Sequence, residues 1–216
     1  MTWIAIPEFE IMFRYRIPNC SIILLGIFLL AACSNHEKKK NAAELNKIYG
    51  EKLIEAGFLS HADTLQIDSL STDIVLDFNI YNEGINRLVF VDAEELAEFN
   101  FDFFLPELNH VLSSRNMEVQ VTMAENYDAS LAISLNGQEV QLYTHDELKT
   151  NSFWDAAARN FFTKVNLLLK SKETEERFYL LYGGNDLHVF LLTEQQCQII
   201  AERYEFKQAE IPYLPE

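Results

Sequence analysis

Apolar residues recur at three- and four-residue steps in four stretches of the chain, and this spacing predicts amphipathic helices. The first stretch ends at Gly57, a residue typical of helix C-termini. The second and third cover residues 105–112 and 152–170. The fourth follows Thr193, whose spacing from Gln196 is that of a capping box. The polar faces of these helices imply that each packs one side against a core.

Two β-hairpins are predicted by pairs of short apolar or alternating segments. Residues 131–135 and 140–142 flank Asn136-Gly137, a dipeptide that strongly favours a two-residue hairpin turn. Residues 178–182 and 187–192 flank a Gly-Gly-Asn-Asp turn. Both arms of this second hairpin are almost entirely apolar, so we expect them in the middle of a sheet, covered on both faces.

Two further strands are predicted before the hairpins, at Arg87–Val91 and at residues 117–123, and Asp92 begins a helix after the first of them. Residues 67–81 fit both a helical and an alternating pattern, and we favour the helix. These elements predict a single α+β domain over residues 41–216. We expect an antiparallel or mixed sheet, with helices packed mainly on one face.

Two of the predicted helices share a pattern of side chains 57 residues apart, and each precedes a hairpin. The matching positions are Phe104, Leu108, Asn109 and Leu112 in one helix and Phe161, Val165, Asn166 and Leu169 in the other. A duplicated helix–hairpin unit and a chance likeness between two amphipathic helices both fit this pattern.

The N-terminal region carries a short apolar run that closes on Leu30-Ala31-Ala32-Cys33. The run begins at Cys20, spans 13 residues and follows two arginines, which is too short for a membrane-spanning helix. It resembles the signal peptide of bacterial lipoproteins, with their lipobox of an apolar residue, two small residues and a cysteine. The resemblance implies cleavage after Ala32 and acylation of Cys33 by diacylglycerol and an N-acyl chain. An uncleaved signal anchor and a buried core helix are the alternatives.

This resemblance divides the chain into three parts. Residues 1–32 form the signal peptide, residues 33–40 a lipidated tether, and the globular domain follows. Two glutamates precede Met12 and are unusual in the leading part of a signal peptide, so we expect translation to start at Met12. By the same resemblance the protein lies in the cell envelope, outside the cytoplasm. Ser34 after the acylated cysteine favours the outer membrane in a Gram-negative cell.

The charge of the chain excludes some classes of partner. It has 17 Lys and Arg against 33 Asp and Glu, a net charge of −16. Residues 1–32 contain two of each kind, so cleavage leaves the balance unchanged. Such a surface repels nucleic acid and anionic lipid, and it favours a basic protein partner. Solubility alone also accounts for an acidic surface. Cys197 is the only other cysteine left after cleavage, so the mature chain has no intrachain disulfide.

No motif names a reaction, a metal or a cofactor. None of the five histidines has the spacing of a metal site. Cys197 lies in an apolar helical stripe, as a core thiol does. Asp186 and His188 share one face of a hairpin arm and are candidates for an oriented general base. An acidic stretch and the hairpin turn are the candidates for partner binding, with the residues Glu94, Glu95, Glu98, Asp102, Asn185 and Asp186.

The sequence thus favours a lipid-anchored, non-enzymatic envelope protein with an acidic protein-binding domain. An immunity protein against a secreted toxin fits this description, because many such proteins are small, acidic and sometimes lipid-anchored. One alternative is a small envelope hydrolase with a dispersed site built from His188, Asp186 and His145. Another is a structural lipoprotein that helps to assemble the envelope.

Overall fold

The computed structural model describes residues 41–183 and 185–216, and residues 43–216 form one compact unit. Ala32, Cys33 and the tether lie outside the described residues. In chain order the elements are α1 (41–55), α2 (Ile67–Asp77), β1 (Leu88–Asp92), α3 (Ala93–Ala97), α4 (Leu105–Ser113), β2 (Val121–Met123), α5 (Tyr127–Ser130), β3 (Ala132–Leu135), β4 (Gln138–Gln141), α6 (His145–Thr150), α7 (Phe153–Ser171), β5 (Arg177–Leu181), β6 (Asp186–Leu192) and α8 (Glu194–Arg203), with 3-10 turns at Glu83–Ile85 and Gln208–Glu210. The predicted α+β fold is confirmed.

Sheet A consists of three antiparallel strands in the order β1-β6-β5. Residues that alternate along its strands enter two separate cores. Val89, Leu180 and Val189 pack with α3, α4 and α7, whereas Leu88, Leu181 and Phe190 pack with α1, α2 and α8. Helices therefore cover both faces of sheet A, whereas we expected them mainly on one face. The nearly continuous apolar sequences of β5 and β6 require this cover, since neither face can be left to water.

Sheet B consists of β2, β3 and β4 in that order, again antiparallel. The predicted hairpin turn is confirmed, because Asn136 (φ 49°) and Gly137 (φ 78°) both adopt the left-handed conformation that such a turn needs. Ile133 and Leu135 point into the core that sheet A shares with α7. The predicted strand at residues 117–123 is shorter in the structure and covers only Val121–Met123.

Local sequence signals account for several helix ends. The ambiguous stretch forms the helix α2. Thr193 and Gln196 make the predicted capping box of α8, and Gly57 after α1 has φ 75°. The helix α6 was not predicted, although Thr144 and Glu147 form a capping box of the same kind at its start.

The two helices with similar sequences hold the segment that follows them in the same way. In α4, the Asn109 amide donates to the carbonyl oxygen of Val119 (2.9 Å) and accepts from its N–H (2.8 Å). In α7, Asn166 makes the same two hydrogen bonds to Phe178, at 2.9 and 2.7 Å. The matching asparagines therefore have equivalent structural roles.

A buried ion cluster fixes the start of β1 against β5 and α4. Arg87 is 1% exposed, and its guanidinium binds the carboxylate of Glu176. Arg115 binds both oxygens of the same carboxylate, with Nε 2.9 Å from Oε2 and Nη2 3.1 Å from Oε1, the oxygen that Arg87 also binds. The guanidinium groups also donate to main-chain carbonyl oxygens. Arg87 donates to those of Gly57, Phe58 and Leu191, and Arg115 donates to those of Asn86 and Val111.

Candidate functional site

The hydrogen-bond register of β1 determines which of its backbone groups face away from sheet A. The carbonyl oxygen of Arg87 accepts from the N–H of Leu191 at 2.7 Å, which makes these two residues a hydrogen-bonded pair. In an antiparallel ladder such pairs alternate, so Val89 also points its N–H and C=O toward β6. Leu88 and Phe90 point theirs outward, along the edge of the sheet that has no further strand beside it among the described residues.

A groove opens beside this edge and encloses about 680 Å³. One wall comes from the two loops before α2 and β1, the other from α4, and Leu88 lies at the base with 2% exposure. The lining residues are Asp63, Gln66, Glu83, Gly84, Asn86, Leu88, Glu107, His110 and Val111. Three of these carry carboxylates, and no lysine or arginine of the described residues is among them. The groove therefore fits a positively charged ligand.

The loop wall of the groove is held by hydrogen bonds. The Asp63 carboxylate accepts from the N–H of Leu65 and from the side chain of Gln66, both at 2.9 Å. The N–H of Asp63 donates to the carbonyl oxygen of Gly84 at 2.9 Å, which ties the two loops together. Asn82 caps the 3-10 turn by accepting from the N–H of Gly84. These bonds fix the position of the Asp63 carboxylate before any ligand is bound.

Glu107 in α4 forms the charged part of the opposite wall. Its carboxylate lies beside the N–H of Phe90 at the β1 edge, which favours the charged form. Burial raises the pKa of Glu107 above its ordinary value, the Phe90 N–H opposes that rise, and the nearby Glu83 adds to it. A carboxylate in this environment is poorly solvated, so a cation that reaches it gains more than at an open surface.

The C-terminal end of β1 carries a second group of acidic residues. Asp92 caps α3 by accepting from the N–H groups of Glu94 and Glu95. Asp186 pairs with Asp92 across the β1–β6 ladder, and the Asn185 side chain accepts from the N–H of Glu94 at 3.3 Å. Three predicted partner-binding residues, Glu94, Asn185 and Asp186, thus meet at one place, which we name the acidic corner.

The other predicted binding residues do not join the acidic corner. The Glu95 carboxylate accepts from the side chain of Asn100 at 2.5 Å. Glu98 and Asp102 are exposed, and within the described chain no side-chain hydrogen bond or ion pair connects them to the corner. Partner binding by these six residues therefore stays a prediction.

The residues considered for catalysis are not brought together. His188 packs edge-on against Phe90, Tyr182 and Tyr81, with ring centroids 4.7, 5.2 and 5.9 Å away. Its Nδ1 lies 3.2 Å from the main-chain oxygen of Asp186 and makes no hydrogen bond to the Asp186 carboxylate. His145 lies at the start of α6 and contacts the carbonyl oxygen of Ala129. Within residues 41–183 and 185–216, no hydrogen bond joins the two histidines.

Cys197 has the properties of a structural thiol. Its sulfur lies 3.6 Å from the carbonyl oxygen of Pro212. Burial, with a smaller effect of Glu194, raises the pKa of Cys197 to about 11. The nucleophilic thiolate is therefore scarce at neutral pH.

The groove was not predicted from the sequence. Its acidic residues come from three separate segments, and Asp63, Glu83 and Glu107 have no spacing that marks them as a set. The structure also exposes the apolar side chain of Leu65 (93%), which stands between two groove residues in the sequence.

Comparisons with protein-family models, with curated proteins and with solved structures give no match. In the part of the chain that the structure describes, no three or more His, Cys, Asp or Glu side chains are arranged to hold a metal ion. None of the helices described there has both the length and the apolar character needed to span a bilayer.

Proposed function

We propose that this chain is the precursor of a lipid-anchored envelope protein whose acidic domain binds a basic protein partner and catalyses no reaction. The observation that carries the proposal is the groove beside β1. It places Asp63, Glu83 and Glu107 around one volume large enough for side chains of a partner, and no described lysine or arginine neutralises them.

Charge complementarity supports a basic partner. The chain has a net charge of −16, so its long-range field accelerates the approach of a cationic protein and slows that of an anionic one. Glu107 supplies a partly desolvated carboxylate, and such groups favour specific ion pairs over diffuse attraction. We therefore expect the association rate to fall steeply as salt concentration rises.

We propose that Cys33 holds this domain at a membrane. Each buried methylene of an acyl chain contributes about 0.8 kcal/mol, and two or more chains give lasting attachment. Residues 33–40 then serve as a polar spacer, and the outer membrane is the favoured site in a Gram-negative cell.

The test is detergent phase partitioning. The wild-type protein enters the detergent phase and incorporates labelled palmitate, whereas Cys33→Ser stays in the aqueous phase without label. A wild-type protein found in the aqueous phase would refute the anchor.

Within this proposal the partner class that we favour is a basic secreted toxin, which would make the protein an immunity protein. A structural role in envelope assembly makes a different prediction. A deletion strain would then leak periplasmic proteins without any toxin challenge. If the protein is an immunity protein, its deletion leaves unchallenged cells intact. Neither role depends on His145 or His188.

Affinity capture with charge variants tests the groove. Solubilised membranes are passed over three immobilised, acylated proteins. These are the wild type, the double variant Glu83→Gln, Glu107→Gln and the double variant Glu173→Gln, Glu205→Gln. The last variant is the control, because it removes two exposed carboxylates that do not line the groove. We expect a stoichiometric basic partner with the wild type and the control, and its loss with the groove variant. Equal capture by all three proteins would contradict the proposal.

A further inference from the structure

The two outer edges of sheet A differ in how their backbone groups are satisfied. On β5, Asn166 bonds both the N–H and the C=O of Phe178. Two residues further along, Leu180 exchanges two main-chain hydrogen bonds with Tyr213 of the C-terminal tail, at 2.8 and 2.9 Å. The β5 edge is thus closed by the protein itself, as exposed strand edges generally are in native proteins.

The β1 edge is closed only in part. The carboxylate of Glu107 lies beside the outward N–H of Phe90. The outward N–H and C=O of Leu88 have no hydrogen-bond partner among residues 41–183 and 185–216, although Leu88 is 2% exposed. Main-chain groups at such depth are nearly always paired, since an unpaired one costs free energy comparable to a lost hydrogen bond. Leu88 lies at the base of the acidic groove, so its two backbone groups face the volume that the carboxylates surround.

We propose that an extended segment of the partner enters this groove and pairs with β1 at Leu88, adding a fourth strand to sheet A. This inference rests on the proposed function and specifies how the partner binds. The chain already shows the geometry on the opposite edge, where Tyr213 makes a one-residue bridge to Leu180 through two main-chain hydrogen bonds. Recognition by strand addition takes its affinity from such bonds and its specificity from alternate side chains.

The surroundings of β1 define the chemistry of the added strand. From Leu88 to Asp92 the edge is about 13 Å long. A strand laid along it passes Glu107 and reaches the acidic corner at Glu94 and Asp186. We therefore expect Lys or Arg side chains on the segment, with an apolar side chain near the exposed Leu65, which follows Asp63 and precedes Gln66. An acidic segment is repelled at every one of these positions.

The probe is a displayed library of random linear decapeptides, selected against the full acylated protein in detergent micelles. We expect the selected peptides to be enriched in Lys and Arg, and to bind the Glu83→Gln, Glu107→Gln protein at least about fivefold more weakly than the Glu173→Gln, Glu205→Gln control. Hydrogen exchange over residues 86–91 should slow when a peptide binds. The N–H groups of Val89 and Val91 already point toward β6, so the N–H of Leu88 accounts for most of the new protection from exchange.

Backbone methylation then separates strand pairing from charge attraction. The same peptide is made twice, with N-methyl groups on one or the other set of alternate residues. In an added strand, the N–H groups of only one set point toward β1. Methylation of that set should therefore lower the affinity at least about tenfold, while methylation of the other set leaves it unchanged. Both versions have the same net charge and the same side chains.

Each outcome decides between the two proposals. If the two methylated versions bind equally and the groove variant still loses affinity, strand addition is wrong and the acidic groove stands. If the selection yields no basic peptide, or the groove variant binds as well as the control, both are wrong. Slow exchange at Leu88 without peptide would also overturn strand addition, because the chain or a second copy would already occupy the edge.

Discussion

Glu176 offers the most direct perturbation of what holds β1 in place. Glu176→Gln removes the carboxylate shared by Arg87 and Arg115 but keeps the size of the side chain. The two guanidiniums have side-chain exposures of 2% and 3%, so neither charge gains compensating contact with water. Loss of one partner from a buried ion cluster typically costs about 3–5 kcal/mol. Since a domain of this size has a total stability of about 5–15 kcal/mol, the variant should be close to unfolding.

The pH dependence of this effect has a definite sign. Burial alone raises the pKa of Glu176, but the hydrogen bond from Arg115 and the charge of Arg87 outweigh it and hold the pKa below its ordinary value. The folded state therefore binds this proton less tightly than the unfolded state. The stabilisation is present above the unfolded pKa of about 4.3 and is lost as the pH falls through the lower folded pKa. The free energy of unfolding of Glu176→Gln should lack this acid-dependent part.

The assay is urea denaturation, followed by circular dichroism, of residues 33–216 with Cys33→Ser. The matched control is Asp155→Asn, which breaks the exposed Asp155–Arg159 pair and should cost no more than about 0.5 kcal/mol. If Glu176→Gln costs less than about 1 kcal/mol at pH 7, or no more than the control, the cluster does not fix β1 as described.

Three further predictions follow from single contacts. Asn166→Ala leaves both backbone groups of Phe178 unpaired and should lower the free energy of unfolding by about 2–3 kcal/mol, measured by urea denaturation. The pKa of Cys197, raised by burial to about 11, should slow its reaction with iodoacetamide at pH 8 about 100-fold relative to the unfolded chain. Because burial raises the pKa of Glu107, titration calorimetry should show affinity for a basic peptide falling as the pH drops toward 4.5, before ordinary carboxylates protonate.

Local patterns in the sequence predicted the elements because their causes are local. The capping box at Thr193 and the left-handed turn at Asn136 need only neighbouring residues, and both are confirmed. The same signal was present at Thr144 and was missed, so α6 was predictable in principle. The apolar arms of β5 and β6 also indicated cover on both faces of the sheet, which the structure confirms.

The candidate site could not be predicted because its parts meet only through the fold. The groove joins Asp63, Glu83 and Glu107 from two loops and a helix, and the sequence contains no spacing that relates them. Counting acidic residues selected Glu94 and Asp186, which the fold places at the C-terminal end of β1, and also Asp102, which has no hydrogen bond to them among the described residues. The free edge at Leu88 depends on which residues of β1 bond to β6, a property of register that side-chain alternation does not reveal.

Site-specific photo-crosslinking in intact cells tests the central claim most directly, namely that the groove binds a basic partner. A photoreactive group replaces Leu65, which is 93% exposed and lies in the sequence between the groove residues Asp63 and Gln66. The same group at Leu167, 53% exposed on α7, serves as the control. The account predicts one dominant adduct from position 65, with the crosslinked peptide rich in Lys and Arg, and no such adduct from position 167. Identical adducts at both positions, or none at position 65, would contradict it.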